Sequence, residues 1–432
     1  MWACCQDNSP ILFNYSDLFE DFSQLGMIWL SWASCRTVGD ILYDNVFKLL
    51  LLMSRKNLTG DQMTQARMLA NTITDWQEFA ETAQSKMVAG LVYENLRLIG
   101  GIDEAALNFM KRYALLTTIG AFKMQSALER FHNICIEPAD ITHVYFKGPL
   151  LADRYYSHPA HRPARDIDVL VKSESLEHVI TVAFEGGYKA LVDETCSPER
   201  LDQQSLKALL RYREVVSLIS PKGFNIDVHR SIDKNSGMFD PTTILSKSET
   251  YNLNGRDYSV LPTAILLNYV CYHNTRHTWS RLHWIADLDW MIMSKDYNRD
   301  ATLEYADEQG IRPMTEACLR MNALASSPDE LETVAADDPG IAMLDLCWHN
   351  MEGNIAVERA LRASYGLLGL PSDDLVSAQR RRIIKWRHFI ALFRPRFVEY
   401  QDWPLHERWQ ILYFWTRFWD RLKRSLFDGL NS

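Results

Sequence analysis

The chain has 432 residues, 47% hydrophobic and 23% charged, an ordinary globular composition for two or three domains whose core needs neither disulfides nor a structural metal. Its net charge of −9 excludes a long nucleic-acid duplex as partner of the whole surface. No run reaches the ~18 apolar residues of a membrane span, and Leu25–Ala33 follows Asp17, Glu20 and Asp21, not the basic flank of a signal peptide.

Residues 1–40 show weak periodicity and form an extension to which no function is assigned. Residues 41–138 read as a helical region. Asn45–Met53 is an apolar helical segment, Asp75 is placed to cap the helix starting at Trp76, and Gly100-Gly101 stops the segment carrying Val88, Leu91, Val92 and Leu96. A further helix runs from about Glu104 to Ile134.

The period changes over residues 139–232. Ile141–Phe146 is a strand that ends at Lys147-Gly148, Leu150–Tyr156 a short helix, and Ser157–Arg165 a loop with two prolines. Asp166–Val171 is a strand, and a helix from Ser173 to Phe184 closes at Gly186-Gly187. A strand at Tyr188–Val192 and a helix over about Pro198–Tyr212 lead to two strands, Glu214–Ser220 and Phe224–Arg230, joined by Pro221-Lys222-Gly223. That joint is a hairpin signal, so the sheet is mixed. Residues 233–432 read as a helical C-terminal domain. The predicted class is α+β, a mixed-sheet core between helical regions.

Eight cysteines are scattered without a C-x-x-C pair, which predicts a reducing, cytoplasmic setting. Cys271 and Cys318 lie in apolar helical stretches and read as buried thiols.

Asp166 and Asp168 are two apart on a strand, so both point to one face. Two carboxylates side by side are costly to bury, and their position at the start of an apolar strand suits oxygen ligands to Mg²⁺. Asp227, with Ile226 and Val228 facing away from it, is the candidate third ligand. Three carboxylates around two divalent ions would activate a hydroxyl and stabilise a leaving pyrophosphate. The Lys147-Gly148 turn offers backbone N–H groups and a cation to an anion, and Arg162 and Arg165 could add bidentate phosphate contacts. A lone D-x-D is usually a solvated pair; the order turn, helix, loop, strand is what makes this one specific.

Residues 145–171, with Lys147-Gly148, Tyr156, Pro159, Arg162-Pro163 and Asp166-Ile167-Asp168, resemble the uncharacterised nucleotidyltransferase family of the DNA polymerase β-like superfamily. Asp227-Val228-His229 and the pattern His273, His277, Trp279, Arg281, Leu282, Trp284 and Asp287 are similar to its later segments. The resemblance spans roughly residues 70–300. It implies a nucleotidyltransferase core over 139–232, two Mg²⁺ ions (Mn²⁺ the alternative) on Asp166, Asp168 and Asp227, and transfer of a nucleoside monophosphate from an NTP. It suggests that the helix carrying His277 and Arg281 lines the nucleotide cleft, beside the phosphate contacts read for Lys147, Gly148, Arg162 and Arg165; His229, on the face of Asp227, could orient a carboxylate or contact substrate. One departure is Pro149, where the wider superfamily has Gly-Ser or Gly-Gly.

ATP is the default donor by abundance alone, and the acceptor is a protein side chain, a small molecule or an RNA end. Two other readings stand beside this one: a degenerate nucleotide- or partner-binding regulator, and an RNA-terminal transferase, which the overall acidity disfavours. His273 and His277 share a helix face, but no Glu follows in zinc-protease placement. Arg281 and Asp287 read as a candidate ion pair. The basic, aromatic stretch Arg380–Arg424 could lie on an anionic membrane surface or stack on single-stranded RNA; aromatics packing into their own core is the reading adopted.

Overall fold

The computed structural model describes residues 44–191, 200–233, 237–352, 355–365 and 368–391, with 394, 397–402, 405, 409, 412, 413 and 415 beyond them. The expectations for residues 1–40, and for Phe393, Trp403, Phe414, Phe418 and Trp419, lie outside the described residues.

Five helices open the described chain: α1 (Asn45–Met53), α2 (Gly60–Ala70), α3 (Trp76–Ser85), α4 (Ala89–Ile99) and α5 (Glu104–Phe131). Their starts follow from caps. Asp44 accepts from the Phe47 N–H, Thr59 and Gln62 form a capping box, and Asp75 accepts from Glu78 as its spacing predicts. Gly100, with φ of 67°, ends α4.

The sheet then begins with β1 (His143–Tyr145), followed by α6 (Pro149–Tyr155), β2 (Asp166–Val171), α7 (Leu176–Glu185), β3 (Lys189–Ala190), α8 (Gln203–Tyr212), β4 (Val215–Ile219) and β5 (Asn225–His229). After α9 (Pro241–Ser246) come β6 (Glu249–Leu253) and β7 (Arg256–Val260). Seven strands form one mixed sheet in the order β3-β4-β5-β2-β1-β7-β6. β4 and β5 are the expected antiparallel hairpin, whereas β2 and β5 run parallel. The sheet continues past residue 232, where the sequence reading ended it. β6 and β7 carry polar residues at Thr250, Asn252, Asp257 and Ser259, so apolar alternation is weak, although their Asn254-Gly255 turn is a hairpin signal.

Helices α10 (Thr263–Arg276), α11 (His283–Ile292), α12 (Arg299–Gln309), α13 (Arg312–Leu324), α14 (Pro339–Glu352), α15 (Ile355–Ser364), α16 (Ala378–Ala391) and α17 (Phe397–Asp402) complete the described chain. No helix among the described residues is long and apolar enough to cross a membrane. Cys271 and Cys318 are buried, as read.

One face of the sheet presents Ile167, Val169, Val171, Ile226 and Val228 to the end of α5, to α7 and to α8. Each such buried side chain contributes about 1.5–3 kcal/mol. This anchors the strands whose other face carries carboxylates. That other face packs Val144, Phe146 and Leu170 into a core shared by α1–α5, α10–α14 and α16.

Candidate active site

The parallel register of β2 and β5 sets Asp168 beside Asp227 and Asp166 beside Asn225. Strand alternation sends Asp166, Asp168, Asp227 and His229 to one face. One ligand atom each from Asp168, Asp227 and His229 lies within 4.8 Å of the others. His229 donates Nε2–H to Asp168 Oδ1 at 2.9 Å, and Asn225 donates to Asp227 Oδ1 at 3.2 Å. Ser217, opposite Asp227 on β4, also hydrogen-bonds its carboxylate. The three carboxylates thus share one face, as strand alternation predicts, but the trio whose ligand atoms lie within 4.8 Å of one another has His229 in place of Asp166.

Asp166 and Asp168 are electrostatically linked. The charge of Asp168, with burial second, pushes the Asp166 carboxyl up to about 6. Burial opposes ionisation of Asp168 too, but Lys147 and the His229 hydrogen bond outweigh it and hold its pKa below the ordinary range. Burial and Asp168 raise Asp227. Lys147 is lowered by burial, against the pull of all three aspartates, and its Nζ lies 5.1 Å over the Tyr269 ring. Phe146 closes the floor, edge-on to His229 and Tyr269 at 5.0 and 5.3 Å.

Gly148 has φ of 71°, and a Cβ there would sit 2.7 Å from the Asp166 carbonyl oxygen. The turn needs glycine because it packs against the start of β2. Pro149 is the first residue of α6, where its missing N–H costs nothing, so the departure from the superfamily pattern is locally well accommodated.

Arg162 has a partner that its local sequence does not announce. Its guanidinium is buried and bound to Asp287, Nε to Oδ1 at 2.8 Å and Nη2 to Oδ2 at 3.1 Å, while Nη1 lies 3.5 Å from the Gly148 oxygen. Tyr156 donates its hydroxyl to the same Asp287 at 2.7 Å and stacks on Trp290. Asp287 is therefore paired with Arg162, not with Arg281, and Arg162 ties the loop to α11 and to the turn. The signal was absent from the local sequence because the partners are 125 residues apart.

Arg165 is exposed, and no carboxylate lies within ion-pair distance of it or of Arg281 among the described residues. Arg281 rests over the Trp284 ring at 5.6 Å. Its pKa is lowered by burial and by Arg165, with Glu358 and Asp166 pulling the other way. His273 and His277 stack at 4.5 Å. Burial holds His277 down to about 4 and His273 well below its ordinary range, so both rings are neutral at pH 7. The His277 Nδ1 is 3.7 Å from Glu358 of α15. Tyr269, Ser217 and Glu358 were missed by the sequence reading. Tyr269 was findable, since it precedes His273 by four residues on the same helix face; Glu358 had no local signal.

The residues present fit a divalent cation. Three carboxylates converge with Lys147 as the adjacent cation, and the raised Asp166 registers the unbalanced charge. Oxygen donors suit a hard ion, and His229 orients one of them.

A family model described as "Uncharacterised nucleotidyltransferase" matches residues 72–325. No curated protein matches the chain. Among solved structures, it is similar to an antigenic nucleotidyltransferase-like protein from Paracoccidioides brasiliensis, at 13% identity and a TM-score of 0.28 over 50% of this chain and 89% of that one, a likeness too loose to carry an argument.

Proposed function

The chain belongs to the uncharacterised nucleotidyltransferase family, and from that premise we propose that it moves a nucleoside monophosphate from an NTP to an acceptor hydroxyl, with pyrophosphate as the leaving group. The observation that carries this reading is the unbalanced carboxylate face of β2 and β5, where Asp168 pushes Asp166 up to about 6.

Asp168 and Asp227 hold Mg²⁺, or Mn²⁺, with Asp166 as the third carboxylate; His229 fixes the rotamer of Asp168. When bound, the cation lowers the pKa of the attacking hydroxyl and offsets phosphate charge. Lys147 neutralises the carboxylates and stands between them and the neutral His273–His277 stack. Arg165 and Arg281, with no carboxylate within ion-pair distance among the described residues, hold the triphosphate. His277 lines the cleft as an uncharged wall. Gly148 lets the turn approach β2 closely enough for Lys147 to face the site.

The test is incubation of the full chain with Mg²⁺ and each α-labelled NTP, followed by separation of protein, RNA and small molecules. Label in one fraction, lost in Asp166→Ala/Asp168→Ala, is the expected result. Bound nucleotide with no label transferred to any fraction would leave a nucleotide-binding regulator instead.

A further inference from the structure

The exposed face of α16 does not behave like core. Ile384 is buried, and Arg380 donates to the Gln309 and Gly237 carbonyls at 2.6 and 3.2 Å, so the helix is seated by its inner side. Outward stand Arg382, Lys385, Trp386, Phe389 and Ile390. Trp386 is 62% and Phe389 48% exposed, and their rings stack at 5.7 Å with an interplanar angle of 23°.

At about 100° per residue, Arg382 falls between Phe389 and Trp386 on the helix surface. A guanidinium thus occupies the middle of the exposed face. A helix that lies in a membrane surface has an apolar centre and basic flanks, and Arg382 interrupts that centre. It suits a chain that alternates flat rings with phosphates.

The charge is complementary to the same ligand. Arg381 and Lys385 are matched by Asp373 and Asp374 at 3.3–3.6 Å. Among the described residues no carboxylate lies within ion-pair distance of Arg382 or Arg387, which leaves the helix about two cations in surplus. The helix adjoins the site through its seated side: Arg387 packs on Gly237, eight residues after β5, and His388 lies beside Arg276, which precedes His277 in the cleft.

We propose that this face of α16 binds a single nucleic-acid strand and leads its end toward the carboxylates, which names an RNA end as the acceptor class; that last step rests on the transfer reading above. The acidic remainder of the molecule then restricts contact to one strand over a few nucleotides.

Fluorescence anisotropy of the full chain with a fluorescein-labelled 12-nucleotide RNA tests it, with phosphatidylcholine–phosphatidylserine vesicles as the competing surface. Wild type is expected to bind the RNA without NTP or Mg²⁺, because the carboxylates do not form the surface. Trp386→Ala/Phe389→Ala and Arg382→Glu, all exposed positions, weaken binding tenfold or more. The logarithmic salt slope is about −1.4, as for two phosphates. No RNA binding, undiminished binding by Trp386→Ala/Phe389→Ala, or capture by vesicles alone overturns the proposal. RNA binding by α16 with no nucleotide transferred anywhere sinks the transfer reading and leaves the surface standing. Label transferred to a non-RNA acceptor, unaffected by Trp386→Ala/Phe389→Ala, does the opposite.

Discussion

Two buried ionic clusters meet at the Lys147–Asp166 region, and their charges are settled differently. Around Asp287, one carboxylate faces one guanidinium, and both oxygens are used by Arg162 with Tyr156 as a third donor. Around Asp168, three carboxylates face one ammonium, and Asp166 is left raised. A network that closes on itself fixes geometry. A network left with surplus charge, held in place by the first through Gly148 and the loop, waits for a counter-charge from outside.

This contrast can be tested by unbalancing each cluster in turn. Asp168→Ala should lower transfer by at least about 10²–10³-fold, the scale for losing electrostatic stabilisation at a reacting centre, while the fold, measured by thermal unfolding without metal, is retained. Arg162→Ala should do the reverse in kind: it leaves Asp287 a buried, unpaired charge and costs about 3–5 kcal/mol of stability in denaturant titration. If Arg162→Ala is stable and merely raises the KM for NTP, the phosphate role first read for Arg162 returns. Arg281→Ala should raise that KM by about tenfold or somewhat more, the loss of a charge-assisted contact, with stability unchanged.

The smallest effect is in pH. Asp166 has its folded pKa raised to about 6, above the value of 3.8 for a free carboxyl. A raised carboxyl favours the fold when protonated, so this contribution is present at low pH and is lost as pH rises through about 6. The Tm of the metal-free chain should rise as pH falls from 7 toward 5, and Mg²⁺ at pH 7 should supply the same gain. An Asp166→Asn variant that keeps the full pH dependence would assign it elsewhere.

The carboxylate face was legible because alternation is local: Asp166, Asp168, Asp227 and the apolar residues between them show their two faces in sequence. The parallel pairing that joins Asp168 to Asp227 needed the fold, since 59 residues and a hairpin separate them. The loop arginines looked alike in sequence. Arg162 and Arg165 differ only in what reaches them from α11, and nothing near residue 162 announces Asp287. Trp386 and Phe389 were read as core because spacing alone cannot say which side of a helix is covered. The Asn254-Gly255 turn was legible and passed over, as polar strands hide the alternation that usually accompanies such a turn.

The core shared by the first and last helices has a bearing on synthesis. Arg55 pairs with Asp289, 234 residues later, and Lys48 with Glu332, 284 residues later. At about 5–20 residues per second on a ribosome, α1 emerges roughly 15–60 s before these late partners, with only α2–α5 there to cover Phe47 and Leu49–Leu52. A nascent chain of this protein should therefore depend on a holding chaperone until α14 has been made, and pausing between residues 60 and 330 should increase its aggregation.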